Sequence, residues 1–508
     1  MNLISLQYLM FLAVAALVYY ALPKKFRWTV LLVASVLFFV LCGSPRMIAY
    51  LLAGTAACYG CALAIGRDPA RRKLWLFLGI GITLGELIAF KYLNFFLVSG
   101  QMLGRLFGVR IGGELFSFAA PIGISYYTLS LIGYMLDVYW GTHEAERNPL
   151  KLLLFASFFP QLTSGPCTRY VEVSSRLLGG HAFSEQNVMR GLYRIFYGLF
   201  KKLVIAETMY PLIGTIFGAP EQYPGMYIVV ATVFYAIYIY LDFSGCMDIV
   251  LGSAWVFGVK LPENFRQPFF SQNLSEFWRR WHIQLGLWFR TYIMYPLLKS
   301  DHHQRFAERL KKRFSKKTAK KIATYCGTFV LWILIGFWHS GSYKYIFTSG
   351  IIPFVYMIGG ELLQPVYRKL EKVFHADDPE RFSRKLFCCL RTFLCMMVIF
   401  LFVNAANLPT AFAMLKSALC FWRKGTIIFS GELLNLGISM EQYFQIGLGL
   451  LVVLYISTRK ERGDDVCLML QRQGLAFRWL VYLIFLFGVL LLMPSAEQVI
   501  QGFVYAQF

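Results

Sequence analysis

Two of the seven histidines, His282 and His339, stand apart from the others. Each is embedded among tryptophans and glycines, in RRWHIQLG and in GFWHSGS. An imidazole titrates near neutrality, so such a residue can take the proton of an attacking hydroxyl. Both could equally be hydrogen-bonded structural histidines, and the residues alone leave the two readings open. The other five read as solvated surface: His302 and His303 in a basic segment, His375 in a charged loop, His143 and His181 near polar turns. Other chemistries find no footing. The chain has no Walker-type phosphate loop, no GxSxG elbow, no HExxH and no outstanding paired-carboxylate spacing. The eleven cysteines are scattered, mostly within apolar runs, and the CxxC of Cys58 and Cys61 has no second pair. Neither a disulfide nor a metal site is expected.

The elements that must carry these histidines are unusual in themselves. His282 lies in Asn264–Arg290, where Asn273 can cap a helix and Glu276 can reach back to it. Leu274, Phe277, Trp278, Trp281, Leu285 and Trp288 then recur at helical spacing, with Ser275, Arg279, His282 and Gly286 on another face. The spacing predicts one continuous helix. Across lipid its three arginines would cost roughly 8–10 kcal/mol, so it should lie in the interface or around a wet cavity. The preceding apolar run, Tyr227–Val259, carries Asp242 and Asp248, for which hydrogen bonds between helices are expected.

Those elements belong to a membrane protein. Of the 508 residues 57% are hydrophobic and 15% charged, and the mean hydropathy is +0.55. Runs such as Leu3–Ala21, Trp28–Leu41, Leu74–Val98, Ile322–Trp338 and Phe477–Met493 approach the ~20 residues that cross a bilayer. The first lacks a basic n-region and a cleavage site, so no cleavable signal peptide is expected. The net charge of +23 sits in loops: Lys24–Arg27, Arg67–Lys73, and ten Lys or Arg from Lys299 to Lys321. These read as cytoplasmic. They suit anionic lipid or an anionic carrier or cofactor, and not nucleic acid, for which no soluble domain is available.

Taken in order, the spans alternate as that rule demands. Phe116–Trp140, with Pro121, Gly123 and Gly133, reads as a kinked span. Leu150–Tyr170, broken by Pro160, Gly165 and Pro166, reads as a re-entrant segment. Ser184–Phe217 begins amphipathic, with Arg190, Arg194, Lys201 and Lys202. Ile322–Trp338 and Tyr343–Leu363 form a hairpin whose turn, Gly336–Ser342, places His339 deep in the membrane or toward the outer face. About ten to twelve membrane helices are expected, some short. The chain reads as one transmembrane domain over 1–508: N-terminal helices 1–140, catalytic core 141–365, C-terminal helices 366–508.

Several long motifs resemble the membrane-bound O-acyltransferase family, in the branch typified by the bacterial alginate O-acetyltransferase membrane protein. They are Pro262–Leu297, Phe234–Asp248, Ser157–Tyr170, the tryptophan–histidine motif Gly336–Tyr343 and the aromatic ending Gly502–Phe508. The resemblance implies an all-α ring of membrane helices around a central constricted channel, in the plasma membrane. It implies His339 as the essential histidine, as general base or covalent acyl carrier, and His282 as the second. Arg279, Trp281 and Trp338 are the expected donor-binding residues. The donor would be an acyl thioester, acetyl-CoA first, and no permanently bound cofactor is implied. Implied partners are membrane lipid, an extracytoplasmic esterase-like acyltransferase and a polysaccharide acceptor. A long basic segment through Lys321 departs from the branch and would fit D-alanyl transfer from a carrier protein to teichoic acid. A transporter or flippase is the rival of another class.

Overall fold

The computed structural model describes all residues except 44, 111, 114, 117–119, 374–377, 421–429 and 493–508. His375 and the ending Gly502–Phe508 lie outside the described residues. Among those described, nine helices are long and apolar enough to cross a membrane, from Lys24–Cys42 to Leu475–Leu492. Leu6–Ala21 and Leu408–Cys420 are shorter apolar helices. The architecture is that of an all-α polytopic membrane protein. Helix starts follow ordinary capping: Ser5 accepts from the Tyr8 N–H, and Ser439 with Gln442 forms a capping box.

The helices Glu185–Leu199 and Met226–Val256 pack along much of their length. Gly191 meets Gly252 and Gly198 meets Gly245, an antiparallel match of seven-residue steps. A Cβ on Gly252 would lie 2.5 Å from the Gly191 carbonyl oxygen, and one on Gly198 2.5 Å from that of Gly245. Small residues let the two backbones touch, which is how helices associate where lipid removes the hydrophobic drive.

That contact reassigns the basic residues read as one amphipathic face. Arg190 and Arg194 do reach acids at the helix end, Asp465 at 2.9 Å and Asp248 at 2.7 Å. Lys201 and Lys202, however, are buried in the π-helical turn Phe200–Ala206. Lys201 Nζ lies 2.6 Å from Asp248 Oδ2 and donates to Ser244 Oγ at 2.9 Å. Lys202 bonds Asp242 and lies 2.5 Å from Glu207 Oε1. Asp242 and Asp248 therefore join helices as expected, but through ion pairs that keep each buried charge compensated.

Further contacts tie distant segments of the chain together. Arg27 donates to the His181 carbonyl, Arg176 to the Lys260 carbonyl at 3.1 Å, and Arg280 pairs with Glu461 at 2.7 Å. The interrupted run Leu150–Tyr170 becomes a helix, Pro149–Ser157, then irregular buried chain up to a second helix, Tyr170–Leu178. Its backbone is satisfied internally, as where the Phe159 N–H donates to Ser35 Oγ at 3.1 Å. Among the described residues of 116–140 the helix is Ile124–Tyr139, and it starts after Gly123, which takes a left-handed φ of 72° against the Leu162 carbonyl.

Candidate active site

His339 sits in the last turn of the helix Lys316–Ser340. The helix runs on through Trp338 and His339, so the turn is shorter than the expected Gly336–Ser342. It ends at Gly341, with φ 58°, whose N–H donates to the Phe337 carbonyl at 2.8 Å. A Cβ there would lie 2.4 Å from the Tyr92 ring. Gly336 lies within the helix, and the hairpin arms touch at it so closely that an added Cβ would meet the Tyr345 carbonyl oxygen at 2.7 Å.

His282 is held differently. Asn273 caps a helix as expected, accepting from the Glu276 N–H at 2.9 Å, while Glu276 reaches back to the Gln272 N–H. The helix then stops after Leu274–Arg280 and restarts as Ile283–Phe289. The predicted continuous helix is broken because Trp281 pairs with Phe265 as an antiparallel bridge. Arg266 N–H donates to the Arg280 carbonyl at 2.9 Å, and Ile283 N–H to the Asn264 carbonyl at 3.0 Å. His282 itself is left-handed, φ 47° and ψ 50°, a conformation costing a non-glycine residue about 1–3 kcal/mol.

Asn264 makes that conformation tenable. Its Oδ1 accepts the Gln284 N–H at 3.1 Å, one of the donors left over at the start of the second helix. The same oxygen lies 3.3 Å from His282 Nδ1. An oxygen that only accepts fixes the hydrogen of a neutral ring on Nδ1 and leaves Nε2 as the basic nitrogen. Replacing Asn264 with alanine is expected to destabilise the protein by about 1–3 kcal/mol, since it strips buried donors of their acceptor. It should also lower kcat more than it raises the donor KM. Steady-state kinetics on the detergent-solubilised variant checks both.

The two histidines, distant in sequence, meet. Their ring centroids are 6.5 Å apart, and both are buried. Phe243 packs edge-on against His282 at 4.9 Å, and Tyr345 lies 6.2 Å from His339. Both histidines line a cavity of about 290 Å³, together with Ser275, Arg279, Trp281 and Gly286. The broken helix thus still brings the expected polar face to one space. Aromatic and aliphatic side chains such as Trp332 and Leu331 form much of the remaining wall. A second cavity, about 680 Å³, lies behind the break and is lined by Ile283, Gln284, Arg194, Lys260, Glu263 and Lys460. The segment Trp281–Gln284 is therefore a wall between an apolar and a charged space. Trp338 is placed beside the first cavity and not in its lining: it packs edge-on against Tyr126 at 5.8 Å and His282 at 6.2 Å.

Such a site can bind an uncharged acyl group against apolar walls, place a cation from Arg279 nearby, and offer two imidazoles as proton acceptors or nucleophiles. Two of its parts were not among the residues expected from sequence. Asn264 gives no local signal, because its role depends on a bridge formed with a distant segment. Lys91, which donates to the Trp338 carbonyl at 2.9 Å, does give one: it is a lone lysine inside the run Leu74–Val98. Cys58 and Cys61 are buried, Cys58 against the Leu131 carbonyl.

Residues 143–375, which hold both histidines, match the model of MBOAT, the membrane-bound O-acyltransferase family. The probable alginate O-acetylase of Pseudomonas putida is 29% identical over 416 residues, 81% of this chain and 79% of its own. The peptidoglycan O-acetyltransferase of Helicobacter pylori is 27% identical over 415 residues, 76% of this chain and 72% of its own. The teichoic acid D-alanyltransferase of Bacillus subtilis is 28% identical over 228 residues, 44% of this chain and 55% of its own. Residues 143–375 thus form a membrane-bound O-acyltransferase family domain within a polytopic helical fold that has relatives along most of its length, and the chain is an O-acyltransferase.

Proposed function

We propose that the protein is a plasma-membrane O-acetyltransferase that takes an acetyl group from a cytoplasmic thioester, acetyl-CoA, and passes it outward for O-acetylation of a cell-surface polysaccharide. The observation that carries the reading is the juxtaposition of His282 and His339 at one cavity, 6.5 Å apart. The acetylating relatives support the choice of acyl group. The concentration of Lys and Arg in the segments 24–27, 67–73 and 299–321, read by the positive-inside rule, supports a cytoplasmic entry for the donor.

In the direct version of the reaction His339 takes the proton of the acceptor hydroxyl as its oxygen attacks the thioester carbonyl. The new C–O bond forms, the C–S bond breaks, and the thiolate leaves with a proton. In the covalent version a His339 nitrogen attacks the thioester carbonyl, the C–S bond breaks and the thiol leaves with the ring proton; the acceptor hydroxyl then attacks the acyl-imidazole, and its proton returns to the ring as the C–N bond breaks. His282 and Arg279 orient the donor and balance charge on the carbonyl oxygen, with Trp281 as aromatic wall and Trp338 packed against His282 outside the lining. An extracytoplasmic esterase-like transferase completes delivery to the polymer. Purified protein given labelled acetyl-CoA and, separately, a D-alanyl carrier protein should consume only the former. Consumption of the carrier thioester alone would overturn the acetyl assignment.

A second reading, D-alanyl transfer to teichoic acid, is favoured by one feature. The segment 299–321, with ten Lys or Arg against two acids, is largely exposed, a surface complementary to an acidic carrier protein. The same pair of assays decides between the two.

A further inference from the structure

Lys91 interrupts an otherwise apolar stretch of the span Pro69–Leu106, within a π-helical turn, Ile88–Tyr92. Its Nζ donates to the Trp338 carbonyl and to Ser125 Oγ, each at 2.9 Å. The Tyr92 hydroxyl donates to the same Trp338 carbonyl, also at 2.9 Å. Consecutive side chains of an α-helix diverge by about 100°, so two neighbours seldom reach one atom. The wider π turn lets Lys91 and Tyr92 converge, and such turns recur at functional sites. The atom they share is one of the last carbonyls of the Lys316–Ser340 helix, which find no N–H within their own helix. A cation at that end is favoured by the helix dipole. The ammonium also lies 5.2 Å from the centre of the Trp338 ring, and no ion pair among the described residues takes it up.

We infer that Lys91 is a positioning residue for the transfer at His339: its ammonium clamps the Trp338 carbonyl, fixes the turn that carries His339, and holds a positive charge at that helix end. The inference rests on the reading of His339 as the reacting histidine. Tyr92 shares the clamp but brings no charge, so the two contributions can be separated. Ser125 Oγ, accepting at 2.9 Å, gives the ammonium a second anchor.

The test compares Lys91→Met, Lys91→Arg, Tyr92→Phe and His339→Ala by donor kcat and KM, using labelled acetyl-CoA and the full-length protein in proteoliposomes. Lys91→Met should lose about 100-fold or more in kcat with the donor KM within about twofold, the pattern of a lost transition-state charge. Tyr92→Phe should lose less than about tenfold, and Lys91→Arg should recover a large part of the loss, because it keeps the charge. Lys91→Met within about threefold of the parent would overturn the inference, as would Tyr92→Phe falling equally far or Lys91→Arg giving no recovery. If Lys91→Met does not fold, Lys91→Gln, which also lacks the charge, replaces it under the same thresholds. An inactive His339→Ala beside a fully active Lys91→Met overturns this inference alone. An active His339→Ala overturns the reading of the reaction centre and this inference with it.

Discussion

Replacing His339 with alanine is expected to lower acyl transfer by about 1000-fold or more, while the protein still inserts and folds. The expectation follows from where the ring lies. It stands in the last turn of a helix anchored at Gly341 and Gly336 and faces a cavity that it shares with His282. The alanine is smaller, sits at a helix end, and leaves those anchors in place, so the fold should tolerate it. His282→Ala should cost less in kcat, because that ring orients and balances charge, but more in stability, because Asn264 loses a partner. Base-labile acetate released from the surface polysaccharide of cells carrying each variant gives the comparison. Full acetylation with His339→Ala, at normal membrane abundance, would contradict the assignment.

The largest stability effect is expected at Lys202. Its side chain is fully buried and bonds Asp242 and Glu207, which are themselves almost inaccessible. Lys202→Met leaves two carboxylates facing each other without a cation. Breaking a buried pair in this way costs about 3–5 kcal/mol, because the stranded charges cannot be rehydrated. The corresponding change at an exposed pair such as Lys311–Glu308 should cost no more than about 1 kcal/mol. Thermal unfolding in detergent should show the difference. Adding Asp242→Asn and Glu207→Gln to Lys202→Met should restore much of the loss, since neutral amides no longer need the lysine. A Lys202→Met protein as stable as the parent would show that this cluster does not join the 200–206 turn to the 226–256 helix.

Much of this was legible in the sequence because membrane spans and helix caps are local. The runs at Trp28–Leu41 and Ile322–Trp338 become the helices Arg27–Cys42 and Lys316–Ser340, and Asn273 caps where its spacing says it should. The two histidines were legible because tryptophans and glycines crowd them, and the cavity does gather Ser275, Arg279, His282 and Gly286. What stayed hidden is non-local. The helix breaks at Trp281–His282 because Phe265 pairs with Trp281 across sixteen positions, which no periodicity in 274–290 records. Lys201 and Lys202 look like a surface patch beside Arg190 and Arg194. Only the glycine contacts between the two helices bring Asp242 and Asp248 close enough to bury them. Lys91 carried a readable signal, a charge within an apolar run, but its partner is a backbone carbonyl, which sequence does not mark.

The central claim is that an acyl group crosses between the two sides of the membrane through the His282–His339 pair. Proteoliposomes with a hydroxylated polysaccharide and the transferase partner trapped inside, and labelled acetyl-CoA supplied only outside, test it most directly. In vesicles whose basic loops face outward, base-labile label should accumulate on the trapped polymer, and His339→Ala should leave that polymer unlabelled. Label that remains outside with the parent protein, or that reaches the polymer equally well with His339→Ala, would contradict the account.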